Sequence, residues 1–178
     1  MNKISTKKIA LTGTMIALTF LATYFTRIPT PLPGGYFNLG DAVIIITAVI
    51  LGRKSGTVAG AVGSALADIA FGGFIFAPVT FVVKGIEGYV AGTLANRGSS
   101  AIPGAVRILW ASVAGTLLMV AGYFLAEAFI LGLFDREFGF AAAVLELVPN
   151  TIQGGLSAVL GYITSAVLLK VDVRRYVS

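Results

Sequence analysis

From Ile9 to Thr26, from Ile108 to Ala126 and from Leu147 to Leu169 the chain carries no charged side chain. Runs of that length match the roughly 20 apolar residues needed to cross a hydrocarbon layer about 30 Å thick. Inside such a layer every backbone amide must be paired within a helix or a closed barrel. Long uninterrupted runs, unlike alternating segments of about ten residues, select helices. Composition points the same way, since 57% of the 178 residues are hydrophobic and 12% charged, unlike an ordinary soluble domain. The chain reads as an all-α integral membrane protein.

Setting the apolar runs against their breakers gives a bundle of six transmembrane helices, at about 7–26, 39–51, 55–71, 77–95, 105–129 and 141–169, in one membrane domain over 1–178. The first run lacks a small-residue cleavage site and reads as a retained helix rather than a leader. The second is short for a crossing, which implies tilt or distortion. Of the 13 basic residues, all but Arg27, Lys84 and Arg136 then fall on one side. Lys3, Lys7 and Lys8 precede the first helix, Arg53 and Lys54 sit in "GRKSG", Arg97 and Arg107 flank "GSSAIPG", and Lys170, Arg174 and Arg175 follow the last helix. The positive-inside rule makes that side cytoplasmic. Both termini are therefore expected in the cytoplasm of a bacterial cell, with the protein in its plasma membrane and "PLPGGYFNLGD" (31–41) facing outward. The net charge of +5 is thus a topology signal, and no nucleic-acid-reading motif accompanies it.

Cysteine and histidine are both absent, which removes disulfides, thiol chemistry, His-based triads and most zinc sites. No catalytic residue, metal or cofactor is implied. What remains is the expense of charge in the bilayer, at least about 2.5 to 3.5 kcal/mol at its centre, which marks intramembrane ionisable residues as functional candidates. At a rise of about 1.5 Å per residue, Lys84 lies roughly 10 Å and Glu87 roughly 15 Å from the outer end of the fourth helix. Asp41 opens the second helix from outside, Asp68 and Glu127 stand near the outer ends of the third and fifth, and Asn150 and Gln153 lie in the outer half of the sixth. These groups come from separate helices and share one level, as an outward-facing pocket requires.

Each has a plainer reading. Lys84 and Glu87 are neighbours on one helical face and can form a structural ion pair. Asp41, in a first turn, fits helix capping. Asp68 shares a face with Gly56, Gly60 and Ser64 and can bond across a tight helix contact. Pro149 loosens the helix beside Asn150, so Asn150 and Gln153 serve either ligand contact or interhelical bonding. The outer loop, with Tyr36, Phe37 and Asn38 between prolines and glycines, is suited to lie over a pocket and stack a flat ligand, or else to join an aromatic belt. "FGGFIFAP" repeats that chemistry at a second outer loop. Small residues in "GTVAGAVGSALAD", "GIEGYVAG" and "GGLSAVLGYITS" permit close helix approach. On the first helix Ala10, Gly13, Thr14 and Ala17 form a flat stripe that can dock another helix or pack within the chain.

The stretches "GGYFNLGDAVIIITAVILG", "GAVGSALADIAFG" and "FAPVTFVVKGIEGYVAG", in a chain of six helices with basic cytoplasmic ends, resemble the substrate-binding S components of energy-coupling factor (ECF) vitamin importers, closest to the hydroxymethylpyrimidine or pyridoxine-type group. The resemblance implies capture of a small vitamin from outside under a lid formed by the loop after the first helix. It implies as partners a transmembrane coupling subunit and two cytoplasmic ATPases, with toppling in the membrane to release the ligand inward. Family members dock through an Ala-x-x-x-Ala stripe on the first helix, and Ala10, Gly13, Thr14 and Ala17 match it in relaxed form. Glu87 and Asn150 occupy places comparable to ligand-binding Glu and Asn residues of thiamine-type members, although the His-containing aromatic pocket of that type is missing. The expected binding set is Tyr36, Phe37, Asn38, Asp41, Lys84, Glu87, Glu127, Asn150 and Gln153. No phosphate-cradling Gly-x-x-x-x-Gly-Lys motif is present, so a partner must hydrolyse ATP. The rivals are a stand-alone proton-coupled carrier using Glu87 and Glu127, and a membrane-embedded enzyme using Asp41, Asp68 or Glu87.

Overall fold

The computed structural model describes residues 6–30, 36–96 and 104–177. Lys3, Arg97, the "PLPGG" of the loop after the first helix and most of "GSSAIPG" lie outside the described residues. The chain is mostly helical, with α1 (Thr6–Phe25), α2 (Gly40–Leu51), α3 (Arg53–Val58), α4 (Ser64–Ala70), α5 (Ala77–Ala95), α6 (Gly104–Phe129), α7 (Phe140–Lys170) and a short α8 (Arg174–Val177). Thr6–Phe25, Gly104–Leu133 and Phe140–Lys170 are long and apolar enough to cross a membrane, and α2 is a shorter apolar helix of 12 residues. Gly52 separates α2 from α3 at φ 91°, a left-handed backbone that glycine adopts without a Cβ penalty.

Two features depart from a plain helical bundle. The segment after α1 is not all coil: β1 (Ile28–Pro29) and β2 (Tyr36–Phe37) pair antiparallel, Ile28 opposite Phe37 and Pro29 opposite Tyr36. Between α3 and α4 the rod over 53–70 widens into a π-helical turn, Ala59–Gly63. The extra residue in such a turn rotates all that follows by about 100° relative to a uniform α-helix, and so resets the face on which Ser64 and Asp68 stand.

Small residues set the helix spacing. A Cβ on Gly56 would come within 2.6 Å of the Ala48 Cβ, and one on Gly88 would strike the backbone of Gly56. The glycines therefore bring α2, α3 and α5 into backbone contact, where dispersion rather than water exclusion holds helices together. α7 lies against α2 and α6, and α1 against α2 and the 53–70 rod. Only Thr19 and Thr23 of α1 are buried. At the α1 N-terminal end of the bundle the interior is apolar, with Ile45, Val49, Ala95, Ile108 and Ala111 in one cluster. Arg174 closes that end by donating to the Val49 carbonyl (2.7 Å) and to Asn96 Oδ1 (2.6 Å). At the hairpin end the interior is polar, and large apolar side chains such as Leu125, Leu145, Val148 and Ile152 point outward.

Candidate functional site

The polar interior is built around one buried cation. Lys84 on α5 is 2% exposed, and its ammonium is paired with Asp41 at the start of α2. Glu87, one turn along α5, stands 3.7 Å from Lys84 Nζ. An ion pair taken out of water is tolerated only when the partners' remaining hydrogen-bonding capacity is used, and here a second shell does this for Asp41. Gln153 Nε2 donates to Asp41 Oδ2 (2.7 Å), while Gln153 Oε1 accepts from the Asn38 backbone N–H (2.8 Å). Asn38 Oδ1 in turn accepts from the Gly40 N–H (2.7 Å). A Cβ at Gly40 would fall 2.8 Å from that Asn38 oxygen, so the junction between hairpin and α2 has no room for a side chain there. The network ties the loop, α2, α5 and α7 into one polar node.

One plainer reading of the sequence is extended by this geometry and one is corrected. Lys84 does pair with its helical neighbour Glu87, but its closest partner is Asp41, 43 residues away. Asp41 makes no capping bond at the start of α2; it faces inward and binds Lys84 and Gln153.

Beside this node lies a cavity of about 40 Å³, lined among others by Tyr36, Asn38, Lys84, Glu127, Asn150 and Gln153. Of the residues expected to bind ligand, these six come together around one void. Asp41 supports Lys84 and Gln153 from behind. Glu87 is fully buried and does not line the cavity; Phe37 is half-buried and does not line it either. The sequence reading missed Thr23, Ser64, Phe76, Thr80, Tyr123 and Glu146, which also line it. Glu146 carried a usable signal, since it is a carboxyl within an apolar helix. The hydroxyls did not, because Ser, Thr and Tyr occur at every depth of membrane helices. Pro149 does not interrupt α7, and Asn150 and Gln153 are both buried.

Tyr36 and Asn38 bring the hairpin to the wall of this void. The Tyr36 hydroxyl donates to Asp68 Oδ1, so Asp68 fastens the loop. Burial, and after it the adjacent Asp68 carboxyl, push the Tyr36 phenol well above its ordinary value. Outside the cavity the Arg27 guanidinium lies between two rings, 4.7 Å from the Tyr36 centroid and 4.1 Å from that of Phe71, and Phe71 stacks on Tyr24 at 4.4 Å. From the second loop, Phe76 lines the void and meets Phe138 edge-on at 5.2 Å. Thr26 Oγ1 accepts from the Leu39 N–H (2.8 Å), tying α1 to the return strand.

The small-residue stripe of α1 lies elsewhere. Ala10, Gly13, Thr14 and Ala17 are all exposed, and nothing lies within 4 Å of a Cβ built on Gly13. That face makes no close packing contact within the chain at Gly13, so the internal-packing alternative is not met there.

Comparison with known proteins supplies a frame for this geometry. The family model described as ECF-type riboflavin transporter, S component, matches residues 3–170. An uncharacterized protein in the gap 3'region of Pyrococcus woesei is 36% identical over 141 residues, covering 79% of this chain and 87% of that protein. A UPF0397 protein of Streptococcus agalactiae is 35% identical over 98 residues, 54% of this chain and 53% of its own length. A UPF0397 protein of Exiguobacterium is 33% identical over 98 residues, so the chain spans about half the length of these two relatives.

Proposed function

Because the chain belongs to the ECF-type riboflavin transporter S component family, whose members are non-enzymatic substrate-binding membrane proteins, we propose that it captures a small planar vitamin or precursor of the B6 or hydroxymethylpyrimidine type from outside the cell. The observation that carries this reading is the convergence of Tyr36, Asn38, Lys84, Glu127, Asn150 and Gln153, from a loop and three helices, on one covered void. At about 40 Å³ the void is far below the roughly 300 Å³ at which ligand pockets begin. Entry therefore requires the hairpin to lift, and a vitamin of one ring needs less opening than a fused three-ring flavin.

In this reading six helices cross the plasma membrane, both termini are cytoplasmic, and the hairpin is the outer lid, released when Tyr36 leaves Asp68. Asn150 and Gln153 would hydrogen-bond the ligand from α7 while the ring of Tyr36 covers it. The exposed face of Ala10, Gly13, Thr14 and Ala17 would receive a transmembrane coupling subunit, through which two cytoplasmic ATPases drive delivery inward. What supports this role for the stripe is its flatness and exposure. A flat face allows close helix approach in lipid, where there is no water to expel.

Riboflavin is the second reading, favoured by the description of the matching family. The test is mass spectrometry of small molecules carried through gentle purification, followed by titration with hydroxymethylpyrimidine, pyridoxine and riboflavin. Tight binding of either of the first two supports the proposal, and tight binding of riboflavin alone replaces it with the second reading. Vesicles holding this chain alone should not accumulate ligand on a pH gradient; if they do, it is a proton-coupled carrier.

A further inference from the structure

The cavity's unmet hydrogen-bonding capacity is weighted toward acceptors. Asp68 Oδ2 and Glu127 Oε2 are buried and make no hydrogen bond among the described residues, and the hydroxyls of Thr23 and Ser64, each able to accept or donate, are likewise unpartnered. All four residues line the cavity, and Asp68 and Glu127 are 2% and 3% exposed. Glu146 adds a third carboxyl to the lining. Against them stands one cation, Lys84, whose charge is matched by Asp41 with Glu87 beside it. Its remaining N–H can serve a neutral acceptor such as a ring nitrogen. Arg27 is held between aromatic rings outside the lining. The carboxyls are not gathered as a metal-ligand set among the described residues.

Buried acceptors left without donors are costly, and a void of about 40 Å³ has room for only a few waters. A ligand that displaces those waters must return donors to the carboxyls. We infer that this pocket selects a neutral or cationic heterocycle rich in N–H and O–H donors and rejects anionic ligands, carboxylates and phosphate esters alike. The inference rests on the binding-subunit reading for its site and is independent of which vitamin is carried.

The test uses pairs that differ in charge and little else, titrated against the intact chain in detergent. Nicotinamide and nicotinate, at millimolar concentration, probe the lining with a single ring; pyridoxine against 4-pyridoxate, and riboflavin against its 5'-phosphate, probe it with whole vitamins. The neutral member of each binding pair should be favoured by about 100-fold or more, as expected when like charges are brought together in a desolvated site. Asp68→Asn and Glu127→Gln should narrow that ratio, and retained thermal unfolding profiles would show that the bundle persists. Discrimination by the nicotinamide pair with no binding of pyridoxine or riboflavin would sustain the charge selection and overturn the reading of B6-type or riboflavin capture. Vitamin binding in which the anionic member is equal or tighter would overturn the charge selection and leave vitamin capture standing. Failure of every probe to bind overturns both.

Discussion

The two halves of the bundle are made by the same helices and solve opposite problems. At the Arg174 end, α2, α5 and α6 meet through Ile45, Val49, Ala95, Ile108 and Ala111, all buried and apolar. At the hairpin end the same helices and α7 present Asp41, Lys84, Glu87, Glu127 and Gln153, all buried and polar. In lipid the apolar half gains little from burial itself and relies on close packing. The polar half depends on pairing, because an unpaired charge has no solvent to turn to. One end is thus a stiff base, and the other is an ion-paired node beneath a two-residue-strand hairpin. Stability and capture should separate along this division.

The sharpest way to break the comparison is to remove the cation. Lys84→Met leaves Asp41 buried without its partner and should lower the stability of the purified protein by about 3–5 kcal/mol, read by denaturant or thermal unfolding in detergent. Adding Asp41→Asn to Lys84→Met should restore much of that loss. A neutral single mutant would mean that the node does not hold the fold. Next in size is Ile45→Ala in the base, expected to cost about 2–5 kcal/mol as a buried large-to-small change. Ligand affinity should stay within about twofold, and a larger loss would show that the halves are coupled.

Smaller effects sharpen the boundary of the site. Asn150→Ala removes a lining amide and should weaken capture about tenfold, the worth of one hydrogen bond, with unfolding little changed. Glu87→Gln, outside the lining, should leave affinity nearly unaltered; equal losses in the two variants would put Glu87 against the ligand after all. The least costly change is Tyr36→Phe, about 1 kcal/mol for one bond, read as faster ligand entry and release. The same phenol predicts a pH dependence. Its ionisation is raised in the closed loop, so the opened loop loses the proton first as pH climbs past about 10. Closure is therefore at full strength below that pH and weakens above it. Ligand release should accelerate in that alkaline window in the parent chain and not in Tyr36→Phe.

Much of the fold was legible because its causes are local. Charge-free runs such as Ile108–Ala126 announce helices by length alone, and Lys84 and Glu127 stand out because ionisable groups are rare in such runs. The π-turn over Ala59–Gly63 left no such mark, since its glycines and alanines read equally well as ordinary packing. Nor did the pairing of Ile28–Pro29 with Tyr36–Phe37, because two-residue strands have no periodicity to detect. The lining hydroxyls of Thr23, Ser64, Thr80 and Tyr123 were invisible for want of any rule linking a hydroxyl's position along a helix to a cavity.

By itself, the sequence determined that this chain is a helical membrane protein whose buried polar groups cluster toward one end, because the energies of lipid exposure and charge burial act residue by residue. Only the tertiary structure decided that Lys84 answers to Asp41 as well as to Glu87, that Asp68 fastens Tyr36, and that the remaining acceptors face a common void. Those choices depend on which elements touch, and contact across 32 or more residues of chain is a property of packing that no local pattern encodes.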